Sequence, residues 1–405
     1  MAVMVQGMED GLIRSISTGL SQKGVRDHNE RLLLSLLQRN GPMPGSDLSR
    51  LAELSPPTVS SILRRLEGEG ILERGDPVRG KVGKPSIPMK LASDGAFSFG
   101  LKIGRRSTDL VLIDLNGNLR EERQLTYPVP VPGDIFDFLE SSVRGIIDDM
   151  EPAHAERICG LGIAAPFELW NWPDRSLDMS AALSPWEGID LKEEAQSRVG
   201  LPVLLLNDAT AACQAEHTYG RGKEFRDYAY FFIGAFIGGG VVLNNSVFEG
   251  RQGNAGALGS LRSIGPNGES MQLVDMASIH QLELRLREVD LDPQQLWTDP
   301  DSWHNLSRYV DPWLGQTAQE LAKAALSTCS VIDFEAILID GAFPASVRED
   351  LVSRVRRYVV TQDTRGLIQP RIESGSIGGK ARAIGAATRP IGAQFMMQAS
   401  VGMTI

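Results

Sequence analysis

The chain is poor in the residues that mark secreted or metal-bound proteins. Cys159, Cys213 and Cys329 are its only cysteines in 405 residues, far apart, which excludes a disulfide framework and a CxxC metal knuckle. The five histidines, at positions 28, 154, 217, 280 and 304, show no metal-ligand spacing, and no chemistry is assigned to them. No apolar run approaches the roughly 18 residues that a membrane helix needs, and Met1 to Ser17 lacks the basic start and apolar stretch of a signal peptide. What is present is ordinary for a globular protein: 42% hydrophobic and 23% charged residues, with a net charge of -10. The length suggests two or three domains, and a cytoplasmic protein without membrane partners is the expectation.

The charge divides unevenly. Residues 1–92 hold 13 Lys/Arg against 10 Asp/Glu, a net of +3, and the remainder holds 28 against 41, a net of -13. A mildly basic head on an acidic body is what a nucleic-acid reader joined to a different module shows. In that head, Arg31 to Gln38 places Leu32, Leu33, Leu36 and Leu37 at helical spacing, and Gly41 to Gly45 ends the helix. A short second helix follows, bearing Leu48, Leu51 and Ala52. Ser55 is a good N-cap for a third, with Pro56 at its first position. Val59, Ile62, Leu63 and Leu66 recur at i, i+3, i+4 and i+7, so they face inward. The opposite face holds Pro57, Ser61 and Arg64, flanked by Thr58, Ser60 and Arg65. Short hydroxyls near the start and arginines further along suit a helix that enters a major groove and grips phosphates.

Gly70 to Arg74 and Pro85 to Leu91 read as two strands around a basic loop carrying Arg79, Lys81 and Lys84. That pattern is the wing of a winged helix-turn-helix, slim enough for a minor groove or a phosphate wall. A helical protein-interaction module with solvated arginines is the competing reading. From Phe97 onward strands alternate with helices, which indicates a two-lobed α/β body.

Several of these segments together resemble the ROK family (repressors, open reading frames and sugar kinases), in its transcription-regulator branch. They are Leu54 to Ser60, the Gly83-Lys84-Pro85 wing, the paired strands from Gly100, Leu206-Asn207-Asp208-Ala209, Gly238-Gly239-Gly240 and Gly253-Asn254-Ala255-Gly256. The resemblance implies a winged helix-turn-helix over residues 1–92 and an actin-like, ribonuclease-H-like sugar-kinase fold over 93–405. Lobe one would span about 93–206 plus the C-terminal helix, and lobe two about 207–385. It also implies a dimer or tetramer whose affinity for operator DNA changes when a small-molecule effector, a sugar or sugar derivative, enters the cleft.

The chain departs from the family's kinases. Their Asp-x-Gly-x-Thr opening is here Lys102-Ile103-Gly104-Arg105-Arg106, and Ala235 and Phe236 replace the threonine and glycine of the second phosphate loop. A lysine cannot ligate Mg²⁺, and a phenylalanine obstructs the close backbone approach that phosphate binding requires. Asp208 still stands where the kinases keep their general base. The family's zinc-site histidine is Ser260, and residues 262–273 contain no cysteine, so no zinc or other cofactor is expected. Sugar-binding positions read Ala257, Ser260, Val274 and Leu183, which leaves Asn207, Asp208 and Asn254 as the polar effector candidates. Trp186, near Trp170 and Trp172, is added as an aromatic wall, with packing at the lobe interface as its alternative. Lys102, Arg105 and Arg106 suit an anion at the vacated nucleotide site, or form a solvated turn.

The expectation is a non-enzymatic, sequence-specific DNA-binding repressor. A sugar kinase with a DNA-binding head and a ligand-free regulator controlled by a protein partner are the alternatives.

Overall fold

The computed structural model describes residues 22–77, 86–166, 183–265, 267–299 and 302–397. The head opens with three helices, α1 (Gln22–Asn40), α2 (Gly45–Leu51) and α3 (Pro56–Gly68), followed by strands β1 (Leu72–Arg74) and β2 (Met89–Leu91). Helix α1 extends well beyond the Arg31–Gln38 stretch marked by leucines, because a polar helical turn is not visible as periodicity. The two strands pair antiparallel, Leu72 opposite Leu91, and Met43 bridges to Met89, so the base of a wing is in place.

Lobe I contains β3 (Phe97–Ile103), β4 (Ser107–Asp114), β5 (Leu119–Thr126), α4 (Pro132–Asp149), β6 (Ile158–Ala165), α5 (Leu191–Val199) and β7 (Val203–Asn207). The chain then enters lobe II through α6 (Asp208–Tyr219), β8 (Tyr228–Ile233), β9 (Ile237–Leu243) and β10 (Ser246–Val247). A small hairpin, β11 (Arg262–Ile264) and β12 (Ser270–Gln272), precedes α7 (Ile279–Arg287) and α8 (Ser307–Cys329). The lobe closes with β13 (Ala336–Gly341), α9 (Ala345–Val359), β14 (Arg371–Ser374) and α10 (Ala381–Phe395).

The two large sheets share one plan. Lobe I orders its strands β5-β4-β3-β6-β7 and lobe II β10-β9-β8-β13-β14, each pairing an antiparallel meander with two parallel strands. Parallel strands require crossover helices on the sheet faces, and the repeated order gives the actin-like, ribonuclease-H-like α/β architecture.

Helix α10 returns from lobe II and packs on the lobe I sheet. The approach is close enough that a Cβ at Gly162 of β6 would sit 1.8 Å from the Ala386 carbonyl oxygen. Only glycine permits it.

The head shares its core with the body. Leu33, Leu34, Leu37, Val59, Ile62 and Leu66 belong to one buried cluster with Val111 and Ile113 of β4 and Ala383, Ala387 and Ile391 of α10. Each such aliphatic side chain contributes about 1.5–3 kcal/mol when fully buried, so the head is anchored by several of them. Arg157, just before β6, adds polar contacts by donating to the carbonyls of Glu69, Gly70, Asp94 and Gly95.

Candidate functional site

Helix α3 is built as its sequence indicates. Ser55 caps it, its hydroxyl accepting from the Thr58 N–H at 3.4 Å, and Val59, Ile62, Leu63 and Leu66 are buried. Pro57, Ser60, Ser61, Arg64 and Arg65 are exposed, and Thr58 is half-buried with its hydroxyl 2.8 Å from that of Ser55. Arg64 folds back along the helix, its Nε 3.2 Å from the Ser60 carbonyl and its Nη2 3.3 Å from the Ser60 hydroxyl. These are weak surface contacts that a phosphate can displace.

Arg65 differs. It is ion-paired with Glu30 of α1 and lies 3.4 Å from Glu69, so its charge is already matched within the head. Arg65 therefore ties α3 to α1, a correction to its reading as a free phosphate clamp. The wing residues Arg79, Lys81 and Lys84 lie outside the described residues, as do Trp170 and Trp172.

In the body, Lys102 is fully engaged. Lys102 Nζ donates to the Ser107 carbonyl (3.0 Å), the Ser107 hydroxyl (2.9 Å) and Asp109 Oδ2 (2.8 Å). An ammonium has three N–H donors, so none remains for an incoming phosphate. Burial pulls the Lys102 pKa down, against the opposing pull of Asp109.

The neighbouring arginines point across the cleft. The buried Arg105 guanidinium lies 5.3 Å from the centre of the Phe236 ring in lobe II. Arg106 Nη2 lies 3.4 Å from Glu283 Oε2 on α7. The solvated-turn alternative for this run is thus overturned for Lys102 and Arg105, which are 5% and 4% exposed. Arg105 with Phe236 and Arg106 with Glu283 thus bridge the lobes.

Glu283 is the hub on the far side. Its side chain is fully buried, accepts from Trp297 Nε1 at 2.7 Å, and faces His280 Nδ1 at 3.3 Å and Arg287 at 3.5 Å. Burial raises the carboxyl pKa, but the His280 hydrogen bond, the Arg106 charge and the Trp297 N–H outweigh it and bring it to about 2. The surrounding cavity, about 790 Å³, is walled by Lys102, Arg106 and Tyr127 from lobe I and by Glu283, Trp297 and Phe343 from lobe II. Glu283, Trp297, Phe343 and Arg382 were not signalled by any local sequence motif.

None of the expected effector residues lines this cavity. Asn207 caps α6, its Oδ1 accepting from Ala209 N (3.0 Å) and Thr210 N (3.3 Å), which leaves only its amide N–H groups for a ligand. Asp208, half-buried, is 3.4 Å from Arg382 Nη1, and Arg382 in turn lines the cavity. Asn254 is exposed on its loop. Trp186 is 2% exposed within the lobe I core, its Nε1 donating to the Pro130 carbonyl at 2.8 Å. It packs and does not face a ligand, which corrects its reading as a cleft wall.

The glycine run in β9 serves packing as well. A Cβ at Gly240 would come within 2.4 Å of Cys213 Cβ, so these glycines let α6 lie flat on the strand. The segment bearing Ser260 continues into the β11–β12 hairpin, where Arg262 pairs with Gln272 and the Ser263 hydroxyl contacts Glu320 of α8.

Residues 98–271 match the ROK family model, and residues 26–73 match a winged helix-turn-helix DNA-binding model. The xylose repressor of Bacillus subtilis (strain 168) is 26% identical over 243 residues, which cover 59% of this chain and 62% of the repressor. A solved ROK family transcriptional regulator, a homolog of the E. coli MLC protein, superposes with a TM-score of 0.63 at 19% identity, covering 91% of this chain and 96% of that one. A ROK family glucokinase from Streptomyces griseus, in complex with glucose and AMPPNP, gives 0.57 at 21% identity over 73% of this chain and 99% of its own. The whole-length match is thus to a fold that joins head and body, and the kinase match is to the body's fold alone.

Proposed function

We propose, from the premise that this chain carries a ROK-family domain behind a winged helix-turn-helix head, that it is a DNA-binding transcriptional repressor whose body senses a sugar or sugar-derived effector. The observation that carries the reading is α3, with an apolar face buried in the shared core and an opposite face of Pro57, Ser60, Ser61 and Arg64 presented outward. The relation to the xylose repressor supports both DNA binding and a sugar effector.

The mechanism is linkage. An effector that prefers one lobe arrangement shifts the population toward it, and any differential affinity appears as an equal change in operator affinity. The head follows because its core is continuous with β4 and α10. In a homodimer or homotetramer, that motion alters the spacing of paired α3 helices and hence the fit to two half-sites. Among the described residues no helix is long and apolar enough to cross a membrane.

The effector enters between the lobes, where Arg382 lines the cavity and Asp208 stands behind it at 3.4 Å. Phosphoryl transfer from ATP is not part of the activity. Lys102 spends its donors on Ser107 and Asp109, and Phe236 fills the second loop against Arg105. The reading includes no zinc, because Ser260 stands at the histidine position and residues 262–273 hold no cysteine.

A promoter-fragment selection followed by fluorescence anisotropy tests the proposal, run beside a coupled ATP-consumption assay over hexoses, pentoses and amino sugars. Sequence-specific binding that responds to one of these sugars, without turnover, is expected. Turnover that depends on Asp208, with no DNA binding, supports the kinase alternative instead. Binding that no small molecule affects favours control by a protein partner.

A further inference from the structure

A second cavity, about 250 Å³, lies where the head meets both lobes. Its walls come from Gln38 and Pro42 of the head, Lys90 of the wing base, Asn116 of the β4–β5 turn, and Tyr219 and Lys223 at and beyond the end of α6. Three separately folded parts therefore converge on one small space.

The charge there is unbalanced. Lys223 Nζ donates to the Gln38 carbonyl at 3.2 Å, while Arg39 Nη2 donates to the Lys223 carbonyl at 3.2 Å and to Asn245 Oδ1 at 2.6 Å. Every acceptor recorded for these two cations among the described residues is neutral. Lys90, by contrast, is matched by Glu73 at 2.9 Å. Lys223 helps to cap the last carbonyls of α1, and Arg39 lies in the last turn of that helix, as cations at a helix C-terminus should. Capping satisfies hydrogen bonds but leaves two like charges side by side. Burial, then the Arg39 charge, lower the Lys223 pKa.

We propose that this junction binds a small hydroxylated anion, a sugar phosphate or a sugar acid, with its charged group on Lys223 and the charge of Arg39, which stands behind Lys223 rather than in the cavity wall, adding to the field. The volume exceeds that of a bare inorganic anion and suits a compact ring or chain. Asn116 donates its amide N–H to the Leu91 carbonyl (3.3 Å) and the Ser93 hydroxyl (3.0 Å), which fixes the side chain and leaves its carbonyl oxygen to accept from a ligand hydroxyl. A ligand seated here touches the head, lobe I and the turn that follows α6, so it pins the head in its docked position. The site is separate from the interlobe cleft, and it does not require the effector reading of that cleft to hold. Its regulatory consequence rests on the head being a DNA reader.

The test uses the full chain and thermal-shift and calorimetric titrations with glucose 6-phosphate, gluconate, inorganic phosphate and glucose. Glucose 6-phosphate or gluconate should raise the melting temperature by several degrees, with inorganic phosphate weaker and glucose inert. Lys223→Gln should weaken binding at least tenfold, and Arg39→Gln, which removes a neighbouring charge and no wall contact, by a smaller factor. Lys223→Arg, which keeps the charge and the carbonyl contact, should restore it and so separate ligand loss from misfolding. Asp208→Asn should leave the anion response in place. No response to any anion, or a response that survives Lys223→Gln, overturns the proposal. A response abolished by Asp208→Asn overturns it too and assigns the anion to the cleft. Anion binding that depends on Lys223 in a protein that ignores DNA would sustain the site while removing the function proposed above.

Discussion

Arg106 and Glu283 meet across the gap between the lobes, Nη2 to Oε2 at 3.4 Å, one partner supplied by the turn after β3 and the other by α7. The arginine of the turn thus faces a fully buried carboxylate, and the pair links the two lobes. The Arg105–Phe236 contact beside it, at 5.3 Å, adds a cation–π term of about 0.5–2 kcal/mol.

Removing the Glu283 charge should therefore loosen the lobes. Glu283→Gln keeps the shape and a carbonyl acceptor for Trp297 but leaves Arg106 and Arg287 without their counter-ion. Breaking a fully buried pair costs about 3–5 kcal/mol. Arg106 and Arg287 are 25% and 41% exposed, so water recovers part of that. A loss of about 2 kcal/mol in urea unfolding is expected. A double-mutant cycle with Arg106→Met should give a coupling above about 0.5 kcal/mol; independent effects would mean that the pair does not hold the lobes.

Adjacent arginines on α3 should separate into two roles. Arg64→Ala removes an exposed cation with only intrahelical contacts, so operator affinity should fall about tenfold or more with stability nearly unchanged. Arg65→Ala breaks the tie to Glu30, so it should lower stability by up to about 1 kcal/mol with the smaller effect on DNA. Anisotropy titrations and urea melts on both variants check this, and equal losses of affinity would show that Arg65 leaves Glu30 to reach DNA.

Helix α10 sets how closely the lobe I sheet can be covered. Gly162→Ala places a methyl group 1.8 Å from the Ala386 oxygen, a backbone atom that cannot move without shifting the helix. A destabilisation of about 3 kcal/mol or more is expected, at the upper end of overpacking costs. Because α10 also packs on α1, the displacement should reach the head. Hydrogen exchange should show faster exchange in α1 as well as in β6, and an effect confined to β6 would mean that the head is coupled to the body by another route.

The parts of this molecule that are local in sequence could be read there. The inward positions of α3, its cap at Ser55 and the strand-helix alternation follow from periodicity and turn chemistry within a few residues. The interlobe bridge could not be read that way. Lys102, Arg106, Glu283 and Arg382 come from segments as much as 280 residues apart, and each alone looks like a surface charge. Asn207 and Trp186 show the opposite limit. Their residue types suit a sugar contact, but the oxygen of the first is spent on a helix cap and the second on a core, and only packing decides between such uses. Arg65 reads as a phosphate contact for the same reason, since its partner Glu30 lies two helices back on α1.

The head–body contact should weaken in mild acid, and His217 is the group responsible. It sits under the β9–β10 turn, with Nε2 3.0 Å from the Asn245 carbonyl and Nδ1 3.3 Å from the Tyr228 hydroxyl, an arrangement that fits a neutral ring protonated at Nε2. Burial, then the Arg39 and Lys223 charges, lower its pKa to about 4 from the ordinary 6.5, against the Asn245 hydrogen bond. Above pH 6.5 both folded and unfolded chains hold a neutral ring and nothing changes. Between 6.5 and 4 the unfolded chain binds a proton that the folded chain refuses, so stability falls as the pH is lowered through this window. The full shift corresponds to about 3 kcal/mol, and the ring's partial exposure reduces this to about 1–2 kcal/mol. Urea unfolding at pH 7.5 and pH 5 on the native chain and on His217→Gln isolates the effect from other titrating groups. The native chain should lose about 1 kcal/mol more than the variant over that interval, and identical losses would show that His217 takes up its proton in the folded state as readily as in the unfolded one.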